Sequence, residues 1–181
     1  MKNTSDKLIK ACIKGNRKAQ HSLYESYKDA MYALCLRYGK SREDAEDILQ
    51  DGFIKVFRDL YQYKPIASLG AWIRKVMVNT ALEHIRSSKR KIITHEYSGS
   101  ALVQPVDEGP AGELEAKQLI LIIQTLNDDY RLVFNMFAIE GYSHAEIAEK
   151  LEISESNSKV RLNRARKMIQ EMLEKHFETK Y

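Results

Sequence analysis

Between Leu23 and Tyr38 the apolar positions Leu23, Tyr27, Ala30, Met31, Leu34 and Tyr38 recur at three- and four-residue steps, which places them on one face of a helix that Gly39 ends. Ser41 followed by Asp44 resembles a weaker capping box and predicts a next helix with Ile48, Leu49, Phe53, Val56, Phe57 and Leu60 turned inward. Tyr61 to Ser68 reads as a loop, because Pro65 restricts both itself and the residue before it. A long helix from Leu69 to Lys91 then buries Trp72, Ile73, Val76, Met77, Ala81 and Ile85, and leaves Arg74, Asn79, Arg86 and an SSKRK tail for solvent or a partner. No strand or hairpin signal appears, so the expected fold class is all-α.

Residues 93–116 break this pattern. They hold Gly99, Pro105, Gly109, Pro110 and Gly112 with no helical period, and Glu96, Asp107, Glu108, Glu113 and Glu115 with no lysine or arginine. Two small helical domains, 1–92 and 114–181, are therefore expected on either side of a flexible acidic linker over 93–113. The second domain begins with helices from Leu114 to Leu126 and from Asp128 to Ile139, separated at Asn127, which suits an N-cap. In GYSHAEIAEKLEIS, Ser143 and Glu146 form a capping box, Ile147, Ala148 and Leu151 face inward, Ile153 fills a turn and Ser154 caps the following helix. A short helix, a tight turn and a second helix, with Ala148 small enough for a close crossing, make a helix-turn-helix. Many such turns carry glycine where this chain has Glu152.

A net charge of +4 over 181 residues does not by itself indicate a nucleic-acid partner, but its distribution does. Glu43 to Asp51 carries five acids and no base, whereas Lys64 to Lys91 carries seven bases against Glu83 alone. Lys159, Arg161, Arg164, Arg166 and Lys167 follow the turn with no acid among residues 159–167, a surface suited to phosphate oxygens. In a helix-turn-helix the N-terminal part of the second helix meets base edges and more distal cations contact the backbone.

An apolar fraction of 44% beside 30% charged residues fits a folded chain and not a disordered one. Apolar runs such as Leu119 to Ile123 fall far short of the roughly 20 residues a membrane-spanning helix needs, so membrane insertion is not expected. The polar N-terminus carries no export signal, and the expected location is the cytoplasm. Cys12 and Cys35 lack redox or zinc spacing and read as reduced core residues, while the five histidines show no ligand spacing. No metal or cofactor is implied. The acids Glu43, Glu46, Asp47 and Asp51 have no histidine, cysteine or phosphate loop paired with them, so no catalytic constellation is seen and the chain is not read as an enzyme.

Three stretches, AEDILQDGFIKVF (45–57), LGAWIRKVMVNTALEHIR (69–86) and GYSHAEIAEKL followed by SKVRLNRARKM, occur in an order that resembles an extracytoplasmic-function sigma factor. This is the smallest sigma-70 class, which keeps only regions 2 and 4. The resemblance implies a factor that binds core RNA polymerase and directs promoter-specific initiation at −10 and −35 elements. It implies docking of the acidic helix on the polymerase β′ coiled coil, with Asp47, Gln50 and Asp51 as contacts, and a further contact with the β flap. The helix from Leu69 and the loop before it would engage the −10 element through Tyr63, Lys64, Ser68, Trp72 and Asn79. A polar pocket there would offset the cost of unstacking a base, while Arg86, Lys89 and Arg90 would hold phosphates. Trp72 is placed first as a core anchor and second as a stacking platform, because it continues the apolar stripe with Val76.

For the −35 element the resemblance offers Ser156, Asn157, Lys159, Val160, Arg161, Asn163, Arg164, Arg166 and Lys167. Of these, Lys159, Val160, Asn163 and Arg164 would by position face the bases, since Asn and Arg can recognise adenine and guanine edges and Val160 could pack on a thymine methyl. Ser156 and Asn157 stand where the family usually has Gly-Thr, which leaves fine promoter preference open. An anti-sigma factor or another regulatory protein is a further implied partner. A repressor or activator whose N-terminal domain senses a ligand or dimerises would explain the last 60 residues equally well. It leaves the acidic helix followed by a basic one with Trp72 and Asn79 unexplained.

Overall fold

In the computed structural model the described residues are 2–94 and 111–178, with side chains over 6–88 and 118–174. They form eight α-helices and no strand. The chain divides into two compact units, residues 1–101 and 102–181.

The first unit opens with α1 (Lys2–Ile13) and α2 (Arg17–Tyr38). Between them Gly15 takes φ +78°, a left-handed turn that costs glycine least. Asn16 then caps α2 by accepting from the Ala19 amide at 3.0 Å. Leu23, Met31, Leu34, Cys35 and Tyr38 form the buried face of α2; Ala30, expected on that face, is exposed, and Cys35 takes its place in the core. Cys12 and Cys35 are both buried and unbonded, and burial pushes the Cys35 thiol up to about 12. Gly39 does end α2, in extended backbone, and its value there is space: a Cβ would meet the Ala45 nitrogen at 3.0 Å and Asp44 Cβ at 3.1 Å.

Ser41 caps α3 (Arg42–Asp59), its hydroxyl accepting from the Asp44 amide. Asp44 reaches back to the Lys40 amide at 3.0 Å, one residue earlier than a capping box requires. A 3₁₀ turn over Leu60–Gln62 and a loop lead to α4 (Leu69–Thr94). Gly52 allows α3 and α4 to pack closely, since a Cβ there would overlap the Met77 sulfur. Ile73, Met77, Val78, Ala81, Leu82 and Ile85 are buried on α4, whereas Trp72 and Val76 are only half-buried. The core-anchor reading of Trp72 is thus corrected: Trp72 and Val76 lie at the edge of the buried face of α4, rotated away from Met77, Ala81 and Ile85.

The linker expected over 93–113 is shortened on both sides, because α4 continues to Thr94 and α5 (Ala111–Thr125) starts three residues before Leu114; residues 95–110 lie outside the described residues. Asn127 caps α6 (Asp128–Phe134), which passes into a π-helical turn over Asn135–Ile139, so the expected straight helix changes pitch halfway. The helices α7 (His144–Leu151) and α8 (Glu155–Glu178) complete the unit. Ile123, Leu126, Ala165 and Ile169 form a core cluster of this unit, with Phe134, Ile139 and Met168 packed against it.

Candidate functional site

The capping box at α7 is complete: Ser143 accepts from the Glu146 amide at 3.2 Å and Glu146 accepts from the Ser143 amide at 2.8 Å. Ile147 is buried, and Ala148 and Leu151 are half-buried. Glu152 closes the helix at φ 56°, ψ 44°, and is the one non-glycine residue with positive φ among the described residues. The turn therefore keeps the geometry that glycine usually supplies, with a side chain that pays some strain for it. Ser154 accepts from the Asn157 amide at 3.1 Å and starts α8. His144 Nδ1 lies 2.8 Å from the hydroxyl of the buried Ser158, and its ring stacks on Phe137 at 4.4 Å, tying α7 to α8 and to the π turn.

Ser158, Leu162, Ala165 and Ile169 point α8 into the core. The helical period then turns Ser156, Val160, Asn163, Arg164 and Lys167 outward, all exposed, with Lys159 and Arg166 on one flank and Asn157 and Arg161 on the other. Val160 is 47% exposed, an apolar side chain amid polar ones. Three of the arginines rest on neighbours that sequence spacing did not foresee. Arg164 donates to the Tyr130 hydroxyl at 3.3 Å, and the Arg166 guanidinium lies 5.8 Å from the centre of the Phe137 ring. Arg161 is half-buried, donating to the Asn157 side chain at 3.1 Å and pairing with Asp129 at 3.3 Å. Beneath them Arg131, 1% exposed, bonds Asp128 at 2.8 Å and the Gln124 carbonyl at 3.3 Å.

In the first unit, Tyr63 and Trp72 make an edge-to-face pair at 5.9 Å beside the loop that enters α4. Tyr63 donates to the Ala67 carbonyl at 2.8 Å, and the Ser68 hydroxyl accepts from the Ala71 amide, so Ser68 caps α4. Lys64 is exposed, and next to Pro65 the side chain of Ile66 is 90% exposed, an apolar loop residue that periodicity could not single out. Asn79 is half-buried and Arg86 exposed on α4; the side chains of Lys89 and Arg90 lie outside the described residues.

Glu43, Glu46, Asp47, Gln50 and Asp51 are all exposed on α3. Glu46 is paired with Arg42 at 2.9 Å, and hydrogen bonds from its own backbone amide and from Ser41 hold the Glu43 carboxyl below the usual range. Neither Asp47 nor Asp51 has an ion-pair partner among the described residues. Beside Gln50 an open cleft of about 420 Å³ is lined by Tyr24, Leu49, Phe53, Ile54 and Phe57. Leu49 and Phe57, expected in the core, are half-buried in its wall, and Ile54 is 57% exposed. Among the described residues no cluster of histidine, cysteine or carboxylate groups could hold a metal ion, and no helix is long and apolar enough to cross a membrane.

These features define a two-unit helical protein that ends in a helix-turn-helix. Family models for sigma-70 region 2 and sigma-70 region 4 match residues 23–91 and 116–169. The chain is 26% identical to the ECF RNA polymerase sigma-E factor of Haemophilus influenzae, covering 94% of this chain and 96% of that protein. It is 29% identical to the ECF RNA polymerase sigma factor SigW of Bacillus subtilis, over 92% and 95% of the two chains. Its fold is similar to that of the sigma factor RpoE in a co-crystal structure with the anti-sigma factor NepR from Bartonella quintana, with a TM-score of 0.60 and 20% identity over 85% of this chain and 96% of that one. The chain belongs to the sigma-70 family and is of the extracytoplasmic-function type.

Proposed function

We propose that this chain binds core RNA polymerase and directs it to promoters, with residues 1–92 docking and engaging the −10 element and residues 114–181 reading the −35 element. The observation that carries the reading is the joint match of sigma-70 regions 2 and 4 to the two units. The family consists of initiation factors and not enzymes, so bond formation belongs to the polymerase. The cytoplasm, where polymerase and promoters meet, is its place of work.

On α3, Asp47 and Asp51 present unneutralised charge beside Gln50, which suits a basic helical element such as the β′ coiled coil, and the apolar cleft next to Gln50 extends that surface. The loop carrying Tyr63, Lys64 and Ser68, the half-exposed Trp72 and Asn79 border a surface on which an unstacked −10 base finds an aromatic face and polar partners. Arg86, Lys89 and Arg90 continue it as phosphate contacts. On α8, Ser156, Lys159, Val160, Asn163 and Arg164 face base edges, Arg166 and Lys167 border the phosphates, and Asn157 and Arg161 lie on the flank toward α6. The β flap is the polymerase contact of the second unit, and a protein of the anti-sigma kind is its regulator, as NepR is found bound to RpoE.

Run-off transcription by core polymerase supplied with this protein over a promoter library tests the reading; a repressor would bind duplex and yield no transcript. Arg164→Ala is expected to weaken use of promoters with an intact −35 element while core binding survives. Asp47→Arg is expected to abolish core binding and leave duplex binding intact. Unchanged core affinity in Asp47→Arg would reject the docking surface.

A further inference from the structure

The five cations at residues 159–167 of α8 are not equivalent. Arg164 leans on a neutral hydroxyl, Arg166 on a ring face, Lys167 has Glu171 only at 3.9 Å, and Lys159 has no ion-pair partner among the described residues. Arg161 alone among them meets an acid from another helix: its Nη2 lies 3.3 Å from Asp129 Oδ2, and its Nε donates to Asn157 Oδ1 at 3.1 Å. Held at both ends, and with its side chain 20% exposed, it is turned toward α6 and away from the outward face defined by Ser156, Val160, Asn163 and Lys167.

A guanidinium facing a carboxylate contributes little net field to an approaching phosphate, and binding that phosphate requires giving up the first partner. Phosphate contacts also govern affinity that does not depend on sequence, each adding about 0.9 to the slope of log affinity against log salt. We propose that Asp129 masks Arg161 in cis and so lowers by one the number of phosphate contacts that α8 makes. The inference rests on α8 being the DNA-reading helix. Asp129 acts here through Arg161 and has no contact with DNA of its own, which makes it a positioning residue that sets how tightly the protein holds duplex of any sequence.

The test uses the full chain and a short duplex of scrambled sequence, with affinity followed by fluorescence anisotropy between about 50 and 200 mM KCl. Asp129→Asn and Asp129→Ser are expected to bind roughly two- to five-fold more tightly at the low-salt end, the range that an exposed ion pair can absorb. Their salt slopes are expected to steepen by about 0.9, the signature of one added phosphate contact. Adding Arg161→Gln to either variant should cancel both changes, which a general loosening of the unit would not do. An unchanged slope, weaker binding, or a gain that persists without Arg161 overturns the mask. Lys167→Gln separates this from the underlying reading: if it alters neither affinity nor slope, α8 is not the DNA-binding helix and both ideas fall together. If Lys167→Gln weakens binding while the Asp129 variants leave it unchanged, only the mask is rejected.

Discussion

Among the described residues, the first unit buries the Thr80 side chain and the Tyr38 hydroxyl, whereas the second buries Asp128, Arg131, Asn135 and Ser158. Thr80 bonds its own helix, to the Val76 carbonyl, and fixes nothing beyond it. Arg131 and Ser158 instead bind other elements, the Gln124 carbonyl and His144. The first unit is thus shaped by volume, with apolar side chains and Gly52 setting how closely its helices approach. The second is small, and it uses directed polar contacts to fix the angle at which α8 is presented. Apolar packing tolerates rearrangement more readily than a buried charge tolerates the loss of its partner.

Hydrogen exchange read separately for the two units can break this contrast. The largest effect is expected from Asp128→Ala, which removes the carboxylate beside a 1%-exposed guanidinium and should destabilise the second unit by about 3 kcal/mol while leaving the first untouched. Gly52→Ala should cost the first unit about 1–3 kcal/mol, because the fully buried Met77 must leave its rotamer to admit a Cβ. If Gly52→Ala proves the costlier of the two, the contrast is reversed. Ser143→Ala removes the capping hydroxyl of α7 and should cost about 1 kcal/mol, seen as faster exchange at the start of that helix. Smallest, and opposite in sign, Glu152→Gly should stabilise the second unit by roughly 0.5 kcal/mol, since relief of left-handed strain is partly cancelled by the extra freedom of glycine in the unfolded chain.

What could be read from the chain alone was local. The caps at Ser41, Asn127, Ser143 and Ser154 each engage an amide three residues on, and the charge of α3 and α8 falls on exposed faces. Readings failed where an outcome depends on distant partners. Trp72 and Leu49 have the spacing of core residues, yet no helix covers them fully. Arg131 looks like any surface cation in sequence and is the most buried charge among the described residues, because Asp128 one helical turn earlier and the Gln124 carbonyl receive it. The tethers from Tyr130 to Arg164 and from Asp129 to Arg161 cross more than thirty residues, a separation at which periodicity carries no signal.

The close approach at Gly52 has a mechanical consequence. Met77 fills the space that a side chain would occupy, while Lys55 reaches Glu83 and Asp44 reaches His84, so α3 is fastened to α4 at three places along its length. Contacts spaced along the helices in this way oppose sliding and rolling of one helix on the other. The acidic face of α3 and the surface around Asn79 thus belong to one packed pair of helices, and a change in the orientation of one is expected to carry the other with it.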